Sequence, residues 1–177
     1  LVFLPGGGHI ASVALEKGPA AGLNPLWKAP WPSIDPADFV PGRHLAFYGG
    51  PPEGRLLASI LGHNLCLDYF GPPSSAEAAA GLTNHGEAPL AEWETVPVRG
   101  GILAEAVLPR AGLACRRRIT LLSGKTVFRV DTEVENLRKR PWHFGWQEHV
   151  TFGPPFLEKG VTVFDTGATW GKALPSS

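Results

Sequence analysis

From residue 93 onward the chain alternates apolar and polar positions with a period of two, as strands with one buried and one wet face do. The clearest run is 126–136, "TVFRVDTEVEN", where Phe128, Val130, Thr132 and Val134 alternate with Arg129, Asp131, Glu133 and Glu135. The same reading predicts strands in "WETVPV", "ILAEAVL", "LACRRRITLL", "PWHFGWQEHVTF" and "VTVFD". "LSGK", before the 126–136 run, reads as a hairpin connection. Upstream, "HIASVAL" (9–15) and "RLLASIL" (55–61) read as short strands, separated by a region including "NPLWKAPWPSIDP" that is too rich in breakers for helix. The helix candidate is "SSAEAAAGL", with a serine N-cap, helix-forming alanines and a closing glycine.

Glycine (22) and proline (18) are spread along all 177 residues, which favours many short elements joined by turns, an all-β chain. No repeat or linker divides it, so residues 1–177 are read as one domain, or one part of one domain. Formal net charge is zero, so no long-range field draws in nucleic acid or an anionic membrane, and a neutral small molecule is the expected partner. The opening "LVFLPGGGHIASVAL" has no basic flank and is broken by Pro5 and three glycines, so it is read as neither signal peptide nor membrane span. Cys66 and Cys115 lack CxxC spacing and are expected as small core residues.

Candidate chemistry begins at 142–152. Alternation puts Trp142, Phe144, Trp146, Val150 and Phe152 on one face, and His143, Gly145, Gln147, His149 and Thr151 on the other, where Gly145 leaves room beside a polar floor. Glu148 falls by parity among the aromatics. A regular strand would bury its carboxylate, which would then need a partner. Because Gly153, Pro154 and Pro155 follow closely, a rim position or a bulge is expected instead. In "GLTNHGEAPLAEWE", "TNHGE" is turn chemistry. Asn84 tolerates unusual backbone angles, Gly86 allows close approach, and His85 is displayed on the turn, able to donate and accept hydrogen bonds near neutral pH.

Trp27, Trp31, Trp93 and Trp146 offer flat amphipathic surfaces on which a ring-shaped ligand could lie, Trp31 foremost because the breakers around it disfavour burial in a strand. Arg43 and Arg55, beside the "GG" and "PPEG" turns, suit hydroxyls or a carboxylate. His63 and Asp68 suit a metal together with His85 or His149, but "HFGWQEH" lacks the H-x-H spacing of a cupin strand, and no metal or cofactor is expected. The arginines of "CRRRITLL" read as a solvated face.

"GLTNHGEAPLAEWE" resembles the Asn-then-His-Gly segment followed by Trp that marks aldose 1-epimerases, the galactose mutarotases. "VENLRKRPWHFGWQEHVTFGPPF" is similar to their later segment, in which a strand Asn is followed by a proline and then by a histidine leading into an aromatic. "GGGHIASVAL" and "GHNLCLDYFGP" are similar to the family's early Gly-Gly strand and to the strand before its Pro-Phe-Gly type loop. The resemblance implies a large antiparallel β-sandwich of the galactose mutarotase type with a sugar site on the concave face of a sheet. By position, His149 would protonate the ring oxygen and His85 would bind sugar hydroxyls; residues 1–177 would be such a domain or its N-terminal part. Asn84, Trp31, Gln147, Glu87 and Arg43, read from the residues themselves, are the candidate substrate contacts.

The family's base is a glutamate near the C-terminus of a considerably longer chain, and nothing here clearly matches it; Glu87, Glu148 and Asp68 are the candidate substitutes. The expected function is therefore mutarotase-like interconversion of sugar anomers. The alternatives are a non-catalytic sugar-binding module, or the β-sandwich part of a glycoside-processing enzyme, and a metal-dependent enzyme using His63, His85 and His149.

Overall fold

The computed structural model describes residues 1–50 and 53–171. Pro51 and Pro52, part of the "PPEG" turn, lie outside the described residues. The chain is mostly β, built as two antiparallel four-stranded sheets.

The first sheet takes strands from both ends of the sequence. β1 (Val2–Leu4) pairs with β2 (His9–Ser12), β2 with β3 (His63–Asp68), and β3 with β8 (Gly145–Val150). The β3–β8 register runs unbroken from His63↔Val150 to Asp68↔Gly145. The second sheet is a meander of β4 (Glu94–Val98), β5 (Gly101–Leu108), β6 (Leu113–Leu121) and β7 (Phe128–Asn136). Its hairpins follow the turn chemistry. Arg99 and Gly100, the latter at φ +75°, join β4 to β5, and the "LSGK" turn closes β6 onto β7 with Leu122 N–H donating to Val127 O.

The inner faces of the two sheets meet in one apolar layer. Leu65 and Leu67 of β3 pack with Ala104, Ala106 and Leu108 of β5, Leu113 and Cys115 of β6, and Trp93. A second cluster joins Ile10, Leu26 and Ile119, flanked by Phe3, Phe128, Val130 and Phe152. Cys66 and Cys115 are buried free thiols, and burial pushes both up to about 12.

Four readings of the pattern are corrected. "RLLASIL" is a helix, α2 (Gly54–Ser59), not a strand. Arg, Leu and Ala are strong helix formers, and the segment's β-branched Ile60 stands at the C-cap. The breaker-rich region likewise holds a helix, α1 (Pro41–Tyr48), because Pro41 occupies the first turn, where a missing N–H costs nothing. "VTVFD" forms no strand, and "PWHFGWQEHVTF" is strand only from Gly145 to Val150, which leaves His143 outside it. The predicted helix is present as α3 (Ser75–Ala79): Ser74 Oγ accepts from Glu77 N–H, and the Glu77 carboxylate accepts from Ser74 N–H.

Candidate functional site

β8 carries the site's first histidine. Because its pairing with β3 is regular, Gly145, Gln147 and His149 share one face with Asp68, Cys66 and Asn64, their partners across the ladder. This face looks away from the second sheet. The role expected of Gly145 differs from its placement: a Cβ there would come within 3.2 Å of Asp68 O, so the glycine admits the neighbouring backbone rather than a ligand.

The second histidine arrives on the "TNHGE" turn. Gly86 at φ +81° bridges to Leu67, where a Cβ would lie 2.3 Å from the Leu67 carbonyl oxygen, and Glu87 N–H donates to that same oxygen at 2.9 Å. His85 itself sits at φ +68°. Its backbone N–H donates to Gly71 O at 3.0 Å, and Gly71 N–H donates to its Nδ1 at 3.1 Å. That second bond fixes the neutral tautomer, with the proton on Nε2.

The two rings meet, His85 and His149 having centroids 5.2 Å apart. Phe70, from the loop after β3, stacks on His85 at 4.7 Å and 15° and lies 5.8 Å from His149. Burial, reinforced by the neighbouring His149, pulls His85 down to about 4, so its imidazole stays neutral through the physiological range. Thr151 Oγ1 lies 3.3 Å from His149 Nδ1. Phe70 was not singled out from the sequence, although "YFGP" follows β3 directly and so places an aromatic at the strand's end.

The other sequence candidates divide. Gln147 lies beside His149 on the same face, and Asn84, next to His85, has a buried Oδ1 without a protein partner among the described residues. Trp31 is held elsewhere, its indole N–H donating to Leu57 O at 2.9 Å and its ring set edge-on to Trp27. Glu87 is a structural latch: it is buried, and one carboxylate oxygen accepts from the N–H groups of Arg110 and Ala111 at 2.9 and 3.0 Å. Arg43 lies exposed on α1, and Arg55 donates to Pro36 O.

Of the rim position or bulge expected at Glu148, the bulge is absent and the rim position stands, since β8 is an edge strand and the Glu148 side chain is 38% exposed. The strand is regular, so its side chain points between the sheets, where Oε2 lies 2.5 Å from His63 Nε2 and 2.9 Å from Arg117 Nη2, and Oε1 accepts from Trp146 Nε1. Burial pushes its carboxyl up, but the His63 bond and the Arg117 guanidinium more than offset this and hold it below the usual carboxylate range. The solvated-face reading of the arginines is corrected too: Arg116 and Arg118 are exposed, while Arg117 is 0% exposed and stands between the sheets. Parity signals this, since Cys115, Arg117 and Ile119 alternate with the exposed pair.

His63 pairs opposite Val150 and therefore looks inward with Glu148, on the face opposite His149. The metal trio of His63, His85 and His149 is thus divided by the sheet. Among the described residues no three His, Cys, Asp or Glu side chains gather as a metal site. No helix of the described residues is long and apolar enough to cross a membrane. No protein-family model matches the chain, and no curated protein or solved structure matches it either.

Proposed function

We propose that this chain carries a mutarotase-like sugar site, with His149 as the general acid toward the ring oxygen of a free aldose and His85 as a hydrogen-bond clamp on its hydroxyls. The observation that carries the reading is the meeting of two imidazoles, 64 positions apart in sequence, at 5.2 Å beside an aromatic ring on the outward face of a sheet. Phe70 suits the apolar face of a pyranose, and His85, neutral and donating through Nε2, suits a hydroxyl oxygen.

Ring opening also needs a base for the anomeric hydroxyl. Glu87 and Glu148 are engaged by Arg110, Ala111, Arg117 and His63. Asp68 is the candidate carboxylate that shares the face of His149, through its pairing with Gly145. The engagement of the other two favours one second reading, a sugar-binding module without catalysis.

Polarimetry on fresh α-glucose and α-galactose tests the first reading, with saturation-transfer NMR on the same sugars for binding. Acceleration over buffer that is lost in His149→Asn supports the epimerase. Binding without acceleration supports the module, and neither signal overturns both.

A further inference from the structure

The His85 and His149 rings, with centroids 5.2 Å apart, are each held through Nδ1. At His85 the partner is the backbone N–H of Gly71, which can only donate, so the ring proton is on Nε2. At His149 the partner is the Thr151 hydroxyl, 3.3 Å from Nδ1, which can donate or accept. Neither Nε2 has a hydrogen-bond partner among the described residues, and neither is sealed from solvent. These two nitrogens are the ones left for a ligand.

Thr151 is firmly placed to hold a ring. Its N–H donates to Gly62 O at 2.9 Å and its carbonyl accepts from Trp27 N–H at 2.8 Å, so the backbone just past β8 is pinned at both groups. The alternation of β8, continued one step, sets its side chain on the face of His149.

The direction of the Thr151 bond decides what the pair of rings offers. A hydroxyl donating to Nδ1 would leave both rings with the proton on Nε2, two donors and no acceptor. A sugar hydroxyl carries both a proton and lone pairs, and is matched by one donor and one acceptor. The acid role points the same way. An imidazolium that gives its Nε2 proton to the ring oxygen becomes the imidazole with its proton on Nδ1, and a hydroxyl oxygen accepting from Nδ1–H serves both states. The contact is long for a neutral pair and shortens when the ring is charged.

We propose that Thr151 is a positioning residue whose hydroxyl oxygen accepts from His149 Nδ1–H, setting the neighbouring imidazoles in opposite tautomers, His85 as donor and His149 as the ring whose Nε2 exchanges a proton. Its role in turnover rests on the mutarotase-like reading; the tautomer does not.

The test reads imidazole ¹⁵N shifts by two-bond ¹H–¹⁵N NMR on the full chain at alkaline pH, where imidazole is neutral, with His149 assigned by its absence from His149→Asn. Free neutral histidine favours the proton on Nε2, so a proton on Nδ1 reports an acceptor holding it there. The unmodified protein should show His149 protonated on Nδ1 and His85 on Nε2. Thr151→Val, similar in shape but unable to accept, should move the His149 proton to Nε2, and Thr151→Ser should return it. In mutarotation followed by polarimetry, Thr151→Val should lower kcat roughly 3–10-fold at nearly constant KM, the loss of one hydrogen bond, and Thr151→Ser should recover it. His149 protonated on Nε2 in the unmodified protein, or unmoved by Thr151→Val, would overturn the tautomer, and a reversed tautomer with kcat intact would overturn the positioning role. No acceleration by the unmodified protein removes the sugar reading and leaves the NMR result to decide the Thr151 bond. Should near-UV circular dichroism show Thr151→Val misfolded, the His149 tautomer of the unmodified protein decides it.

Discussion

Glu148 and Arg117 join the two sheets through a hydrogen bond of 2.9 Å between Oε2 and Nη2. One partner sits on β8 at an edge of the first sheet and the other on β6 inside the second. Removing the carboxylate strands a buried guanidinium, a loss of about 3–5 kcal/mol for a fully buried pair. The Glu148 side chain is 38% exposed, so solvent screening reduces this to ~1–3 kcal/mol for Glu148→Ala. Urea unfolding checks it, and adding Arg117→Met to Glu148→Ala should recover part of the loss, since neither charge is then left alone.

Acid should weaken the protein in two stages. His9 is 0% exposed, and burial, helped by the nearby His63, lowers it from 6.5 to about 4. Its folded-state affinity for protons is depressed, so stability is undiminished above pH 6.5 and falls as the unfolded chain takes up a proton that the folded one refuses, levelling off below about 4. The full span corresponds to ~3 kcal/mol at 1.36 kcal/mol per pH unit. Glu148, also depressed, adds its loss only below its ordinary 4.5. Urea titrations from pH 7 to 4 should show the first decline; His85, lowered to about the same value, contributes over the same window, so His9→Gln should make the decline shallower without abolishing it.

How much of this was legible in the sequence depends on whether a period or a contact decided the matter. Alternation placed β5, β6 and β7 and the outward face of β8, because a half-buried strand writes its two environments directly into successive residues. It turned Glu148 and Arg117 inward as well: the expectation of a solvated face fails at Arg117, which is wholly buried, while Glu148 turns inward and still lies at the exposed rim of its sheet. α2 was misread because so short a segment, six residues from Gly54 to Ser59, carries no distinguishing period. The stack of Phe70 on His85 was not readable, because it depends on how the loop after β3 meets a turn 14 residues later.

Phe70 shields His85, so the ring and the depressed proton affinity should change together. Phe70→Ala opens the imidazole to water, and its pKa should rise from about 4 toward 6.5. His149→Ala should move it in the same direction by a smaller step, since burial is the larger cause and His149 the second. Imidazole ¹H–¹⁵N NMR titration distinguishes the two variants, and an unchanged His85 in Phe70→Ala would separate the stack from the shift.

Glu87 offers a cleaner separation of structure from chemistry. Its carboxylate ties the "TNHGE" turn to the β5–β6 connection through Arg110 and Ala111 N–H. Glu87→Ala should cost ~1.5–3 kcal/mol, as for hydrogen bonds to a charged acceptor. On the proposed sugar-site reading, binding by the folded fraction measured well below the melting transition should be unchanged, which a direct sugar contact at Glu87 would not allow.

Gly86 controls where His85 stands. Any side chain at φ +81° is strained by about 1–3 kcal/mol, and a Cβ 2.3 Å from Leu67 O would force the strand–turn bridge apart as well. Gly86→Ala should therefore destabilise the chain by more than the strain alone and carry His85 away from His149. Thermal unfolding measures the first effect. The second appears as a rise of the His85 pKa toward 6.5, because the ring leaves both its burial and its neighbouring imidazole; a variant that melts earlier yet keeps His85 near 4 would show that Phe70 and Gly71, not the glycine, hold the ring in place.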